Sequence, residues 1–384
     1  MKRFIGIVIL ICLATAAYSQ HVKIDKTGKN LTFTGTEAIE NDATYDSTEH
    51  LVLSGYVSSY YAFYSDSIAR SGYQKFPTTA PYNNRFGINI VQLGGTYTSE
   101  HIRAIFTLHF GDIPQSAWSP QYNMIQEANV GFLLAKDLWF DMGYFRTHIG
   151  LESIQPRENI ASSIAMATYF EPYFLSGAKL TYRINEKMAI QANAFNGFNT
   201  YVETNKNKAV GLSAVITPSE DLMITVNTIT SDESPDSVRV SHQRLYNNIY
   251  LVYKIHKIDF GAEFNYGLQR NTKLSDPSQT AHMHSALLAI EYKFNSSFAV
   301  YGREEFFSDP DEILTGPVEN SHHELIGLNF TGTTLGVEYK PIENSYVRLE
   351  GRTLHTKSNQ DIFKINDKSV NHREEVIFSV GVWF

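Results

Sequence analysis

Cysteine is all but missing from this chain. The single residue, Cys12, lies in an N-terminal apolar run, so the rest of the chain has neither a disulfide framework nor a cysteine zinc site. Past that run, no stretch approaches the roughly 20 consecutive apolar residues that a membrane-crossing helix needs. Positive charge is in short supply, with 32 Lys and Arg against 40 Asp and Glu and a formal net charge of −8. Such a balance argues against nucleic acid as a partner. Tryptophan occurs three times, whereas Tyr at 23 and Phe at 24 are plentiful. The mean hydropathy of −0.24 is modest. It still admits a membrane protein built of strands, because alternating lipid-facing and lumen-facing residues average out.

What is present begins at the ends. Lys2 and Arg3 precede an apolar run over residues 4–17, and Ala17 and Ser19 supply small residues before a cut at Gln20. This predicts a signal peptide over 1–19 and export to the cell outer membrane of a Gram-negative bacterium. Removing Lys2 and Arg3 lowers the formal charge of −8 by two, to −10. A lipoprotein anchored at Cys12 is disfavoured by Ile11, which is not a small residue. Residues 20–50 are polar and read as a periplasmic N-terminal tail, within which 22–24 and 31–33 suit a small hairpin or a partial plug. At the other end, Val376, Phe378, Val380, Val382 and Phe384 alternate with Ser379 and Gly381. An exposed apolar strand of this kind invites aggregation in a soluble protein. In an outer-membrane barrel it is the closing strand, apolar towards lipid and ending in an interfacial aromatic.

Residues 51–384 repeat one pattern. Short turns at 99–100, 136–137, 185–186, 218–221, 256–257, 295–297 and 341–344 are each flanked by about ten alternating residues, the length of a tilted membrane strand. Longer polar connections fall near 66–84, 111–120, 151–172, 198–207, 231–240, 271–280, 308–321 and 357–370. The prediction is an all-β fold, an antiparallel transmembrane β-barrel of about sixteen strands with short periplasmic turns and long outer loops. The alternation also assigns faces. Ile102, Ala104, Phe106, Leu108 and Phe110 point to lipid, and Arg103, Thr107 and His109 point inward. Phe264 and Tyr266 point out, and Asp259, Glu263 and Asn265 point in. A polar interior behind an apolar exterior is the pattern of a water-filled lumen.

Several segments resemble the Bacteroidetes-type outer-membrane porins of the putative beta-barrel porin-2 (OmpL-like) family. They are Leu53-Ser54-Gly55-Tyr56-Val57, Glu127-Ala128-Asn129-Val130-Gly131 and Tyr301-Gly302-Arg303-Glu304-Glu305-Phe306-Phe307-Ser308-Asp309. The sharpest runs from Leu138-Trp139-Phe140-Asp141-Met142-Gly143-Tyr144-Phe145-Arg146-Thr147-His148 to Gly150-Leu151-Glu152-Ser153. It resumes at Pro172-Tyr173-Phe174-Leu175-Ser176-Gly177. Arg146 departs from the family pattern, where proline commonly precedes Ser-His. The resemblance implies a porin-like channel and names no solute.

The inward charges are mixed. Arg103, Lys179, Arg303, Arg348 and Arg352 stand against Glu127, Glu263, Glu305, Glu338 and Glu350, and these are the predicted pore-lining residues. One-sign rings would select the opposite ion. Mixed charges more readily bridge one another across a wet wall. The 151–172 connection, with Glu152, Arg157, Glu158 and Glu171, is the candidate constriction loop, tolerated deep in a barrel because it lines water. His282 and His284 share a strand face without a third ligand, so no metal site is expected. His148 with Glu152 is the best general-base pair, but no nucleophile motif accompanies it. The expectation is therefore no catalytic residue, no cofactor and no enzyme activity. The reading is a porin passing small hydrophilic solutes by passive diffusion, with outer-membrane lipid around it and room for a homo-oligomer. The alternative is a non-conducting barrel acting as a binding or scaffold partner, its lumen closed by the 151–172 loop or the tail.

Overall fold

The structure is a computed structural model that describes residues 22–24, 31–33, 50–66, 72–74, 76, 79–203 and 205–384. The predicted signal peptide and most of the polar tail lie outside the described residues. Within the tail, Val22–Ile24 pairs antiparallel with Leu31–Phe33.

Sixteen strands close into one antiparallel barrel. In chain order they are β1 His50–Tyr64, β2 Arg85–Thr98, β3 Ile102–Phe110, β4 Ile125–Ala135, β5 Leu138–Arg146, β6 Phe174–Asn185, β7 Met188–Phe195 and β8 Ala209–Ser219. The second half is β9 Leu222–Ser231, β10 Arg244–Ile255, β11 Ile258–Gln269, β12 Ala281–Lys293, β13 Phe298–Asp309, β14 Leu328–Tyr339, β15 Ser345–Thr356 and β16 His372–Trp383. Each strand pairs with its neighbours in sequence. The ring closes where β16 meets β1, with Val382 opposite Val57, Phe378 opposite Tyr61 and Val376 opposite Phe63. Closure leaves no open edge, so every ladder group finds a partner without water, as a hydrocarbon surrounding demands.

The connections alternate as the sequence predicts. Seven short turns lie at one end, which we call the inner end, and the long connections lie at the outer end. Asp137 closes one short turn at φ +64°, a left-handed conformation that Asp tolerates better than most residues. The period-two faces also hold. Phe106, Phe264, Leu335 and Phe378 are exposed on the outside, whereas Arg103, Glu263, Glu338 and Arg352 are buried inside.

At one place the wall needs glycine. Gly143 of β5 and Gly177 of β6 stand opposite each other. A Cβ on Gly143 would come within 2.2 Å of the Ala128 carbonyl oxygen, and one on Gly177 within 2.0 Å of that of Ala194. No side chain fits there. These two strands root the connection that enters the lumen.

Candidate functional site

Residues 147–173, joining β5 to β6, fold into the barrel instead of rising above it. Ile149, Gln155, Glu158, Ala161, Ser163 and Met166 are all at most 1% exposed. The segment holds two short helical pieces, a 3-10 turn at Pro156–Glu158 and a helix, here α1, at Met166–Phe170. It crosses to β13, eight places round a ring of sixteen from β5 and so on the opposite wall. The lumen is therefore spanned across its full diameter.

Wall carboxylates hold the loop by its backbone N–H groups. Glu263 accepts from Leu151 N–H at 2.6 Å, and Glu305 from Met166 N–H at 2.6 Å. Glu350 accepts from Ser162 and Ser163 N–H at 2.6 and 3.0 Å. Wall arginines hold the loop by its carbonyls. Arg348 donates to Pro156 and Asn159 oxygens at 2.7 and 3.0 Å, and Arg303 donates to Ser163 oxygen at 2.6 Å. Each is a charge-assisted bond, roughly twice as strong as a neutral one. An irregular segment with no ladder of its own thus gets its backbone partners from the wall, which satisfies the accounting that burial imposes.

The predicted constriction residues take distinct partners. Glu152 accepts from Arg303 at 2.9 Å and from Ala165 N–H at 2.6 Å. Glu158 pairs with Arg146, the family-departing residue at the root of the loop, at 3.0 Å. Arg157 lies over the Tyr56 ring, 4.6 Å from its centroid. Glu171 accepts from Tyr246 Oη at 2.6 Å. Burial and the neighbouring Glu263 push the Glu171 carboxyl well above its usual range. Burial, helped by Lys179, pushes the His148 imidazole down to about 3. His148 packs on Phe195, while Glu152 is engaged with Arg303, so the structure does not bring together the general-base pair considered from sequence.

The predicted pore-lining charges all face inward, and most are tied to one another. From Glu152 an alternating ladder runs through Arg303, Glu305, Arg352, Glu375 and Arg373 to Asp66, with contacts of 2.6–3.8 Å. Arg348 pairs with Glu338 at 2.6 Å, and Arg103 with Asp141 at 2.6 Å. On β8–β12 a row of neutral groups continues the girdle. Ser213 donates to Asn227, Asn227 to Asn248, Asn248 to Asn265 and Asn265 to Ser285, at 2.6–3.0 Å.

The two halves of the wall treat the loop differently. Strands β10–β16 grip it by hydrogen bonds and ion pairs. Towards β1–β7 the loop is held by charge at one place, its root, where Arg146 of β5 donates to Glu158 at 3.0 Å and to Ser153 Oγ at 2.6 Å. Elsewhere on that side it offers mainly apolar and aromatic contacts, such as Ile154 and Ile164 against Tyr56 and Ile90. On that side Lys179 Nζ, Thr181 Oγ1 and both amide atoms of Asn193 have no hydrogen-bond partner among the described residues. Lys179 Nζ sits 4.1 Å from the Phe145 ring centroid. Among the described residues, Glu127 accepts one long bond, from Arg146 N–H at 3.5 Å. A cavity of about 20 Å³ lies between Arg157 and the inner faces of β1–β4, lined by Ser54, Gln92, Thr96, Thr107 and Glu127. A second of about 10 Å³ lies at Arg146, Glu152 and Glu171. Each has room for about one water.

One expectation needs correction. The interior is not polar throughout. In the outer half of the lumen, Tyr246, Met283, Phe307, Phe330 and Leu354 from the wall join Met166, Ile313 and Phe363 from the connections in one apolar cluster. The sequence hid this because Phe306-Phe307, just after the inward Glu305, is apolar on both faces at the strand's outer end. His282 and His284 lie on the outward face, His282 bonded to Tyr266 Oη at 2.8 Å.

With this geometry in hand, the chain can be compared with known proteins. No curated protein is significantly similar in sequence. Among solved structures, the outer membrane channel DcaP of Acinetobacter baumannii superposes with a TM-score of 0.60 at 9% identity, over 88% of this chain and 97% of that one. An anion-selective porin from Comamonas acidovorans gives 0.58 at 11% identity, over 88% and 100%. OmpF of Salmonella typhi, solved with daunomycin, gives 0.55 at 12% identity, over 87% and 97%. These likenesses are of fold. The family description "Putative beta-barrel porin-2, OmpL-like" matches residues 50–384, the whole barrel, and the chain belongs to that family as an outer-membrane porin.

Proposed function

We propose that the barrel passes small hydrophilic solutes by passive diffusion, through a water path between the infolded 147–173 loop and the β1–β7 wall. The observation that carries this reading is the asymmetry of the loop's attachments. Opening on the β10–β16 side means breaking buried charge-assisted bonds, each worth about 1.5–3 kcal/mol. Opening on the β1–β7 side pivots on the single Arg146 attachment at the loop's root and otherwise separates apolar contacts. It lets water reach polar atoms that lack partners among the described residues, such as Lys179 Nζ and the Asn193 amide. Arg157, Glu127 and Lys179 then set the field along the path. Arg303, Arg348 and Arg352 serve to hold the loop. The chain works as a channel without catalysis, in the outer membrane, delivered there by the 1–19 signal peptide. The motifs at 138–153 and 172–177 support a Bacteroidetes-type member.

The test is reversal potential in a salt gradient across planar bilayers. Lys179→Gln should move permeability towards cations, because Glu127 then dominates the local field. Arg352→Gln should alter conductance through the loop more than it alters selectivity. A Lys179→Gln channel with unchanged reversal potential places the path elsewhere.

A second reading has its own support. Cross-lumen contacts fill the described interior, and the two cavities beside the loop hold about one water each. A barrel that stays in this state is a closed binding or scaffold partner, and absence of conductance in both wild type and a loop-shortened variant would establish that reading.

A further inference from the structure

The outward face of the barrel is not uniform. Among the described strand residues, no outward position of β1–β8 carries an exposed carboxylate. On β13–β16 two carboxylates, Glu304 and Glu374, stand exposed on that face. Glu304 is the seventh of twelve residues in β13, with Val300 on one side and exposed Phe306 on the other, so it lies within the apolar belt. The two carboxylates bracket a cross-strand row, since Glu304 is opposite Thr333, Thr333 opposite Thr353, and Thr353 opposite Glu374. Thr333 donates to Glu304 at 3.0 Å and Thr353 to Glu374 at 3.1 Å. One hydroxyl each leaves most of the acceptor capacity of a carboxylate unfilled.

Charged groups rarely face lipid and normally meet protein or water. The shape of the patch points the same way. Gly302 and Gly351 present no outward side chain, and a Cβ built on Gly351 meets no atom within 4 Å. Small residues beside polar ones mark surfaces where membrane proteins approach closely and hydrogen-bond. Between them, Leu335 of β14 is 67% exposed, a single knob at the centre of the strip.

We propose that the β13–β16 face is an interface with a second copy of this chain, related by a twofold axis along the membrane normal. Such an axis preserves depth in the membrane and reverses the order of strands. It therefore sets β14 against β14 of the copy, and β13 against the copy's β15. Leu335 meets its own counterpart on the axis. Counted from the inner ends of their strands, Glu304 is six residues from Phe298 and Gly351 is six from Ser345, so the carboxylate enters the opening over the copy's glycine. The copy's Thr353 hydroxyl, two residues further out, is then within reach of it and donates to it by turning its single proton away from Glu374. The strip is complementary to itself: a knob on the axis, and on each side an acid facing a space with a hydroxyl at its rim.

The test uses the full-length protein in native outer membrane and then in mild detergent. Leu335→Cys gives the barrel its only cysteine, as does Leu180→Cys on β6, eight strands away. On oxidation with copper phenanthroline, Leu335→Cys should yield a covalent dimer and Leu180→Cys should not. Wild type should elute at twice the chain mass by light scattering. Gly351→Trp, which fills open space on a single barrel, should shift it to one chain mass while the folded, heat-modifiable band persists on gels. Monomeric wild type, or a trimer whose Leu335→Cys form does not cross-link, overturns the proposal. Since conductance is not the readout, this outcome is independent of whether the barrel conducts.

Discussion

At the scale of single residues, the wall carboxylates of β11, β13 and β15 decide whether the loop stays in the lumen. Glu350 caps two successive N–H groups, those of Ser162 and Ser163. Replacing it with Ala leaves both donors buried without a partner, at about 1–3 kcal/mol each. Glu350→Ala should therefore loosen 147–173 and expose it to protease in folded barrels, while the barrel itself keeps its gel mobility. Two loop residues make docking depend on pH in opposite senses. His148 has its imidazole lowered to about 3 by burial. Its contribution is present above the ordinary imidazole value of about 6.5 and is lost as pH falls towards 3. Glu171 has its carboxyl raised by burial and Glu263. Its contribution is present at low pH and is lost as pH rises through the raised value. Because the two oppose each other in acid, the difference between channels is the test: His148→Gln should open less often below pH 6 than wild type does in single-channel recordings. An unchanged acid response in the variant would mean that other carboxylates carry it.

At the scale of elements, period two was sufficient to read the sheet. Residues 345–356 alternate Val347 and Leu349 outward with Arg348, Glu350 and Arg352 inward, and the pleat does the rest. A lipid-facing arginine near the midplane costs about 2–4 kcal/mol. Phe264→Arg should accordingly cut folding yield in lipid vesicles, while Thr96→Arg, facing the cavity below Arg157, should not. The twin glycines make a sharper case. Gly177→Val sets a side chain on the Ala194 carbonyl oxygen, and its folding yield should be lost altogether. The loop's location was legible as a long connection with charges, but its partners were not. Leu151 meets Glu263 and Ser162 meets Glu350, pairs separated by 112 and 188 residues. Nothing in local spacing encodes which wall residue caps which loop N–H. The apolar outer lumen was hidden for a related reason. Phe307, Phe330 and Leu354 face inward by the pleat, but local pattern does not show that connections such as 310–327 and 357–371 bring Ile313 and Phe363 over them.

At the scale of the whole molecule, the barrel is a closed wall whose interior is divided by one strap. One side of the strap is fastened by charge, through the ladder from Glu152 to Asp66 and the arginines of β13 and β15. The other side, apart from the Arg146–Glu158 pair at the strap's root, rests on aliphatic and aromatic contacts against β1–β7. A barrel built this way keeps its wall rigid and concentrates any opening at one seam. Single-channel conductance reports directly on that division. Purified wild type and a variant shortened within 154–168 would be compared in planar bilayers at neutral pH. Wild type should give small or intermittent conductance, and the shortened form a larger and steadier conductance with its barrel intact. Equal conductance in the two would contradict the loop as the constriction. No conductance in either would contradict the channel itself.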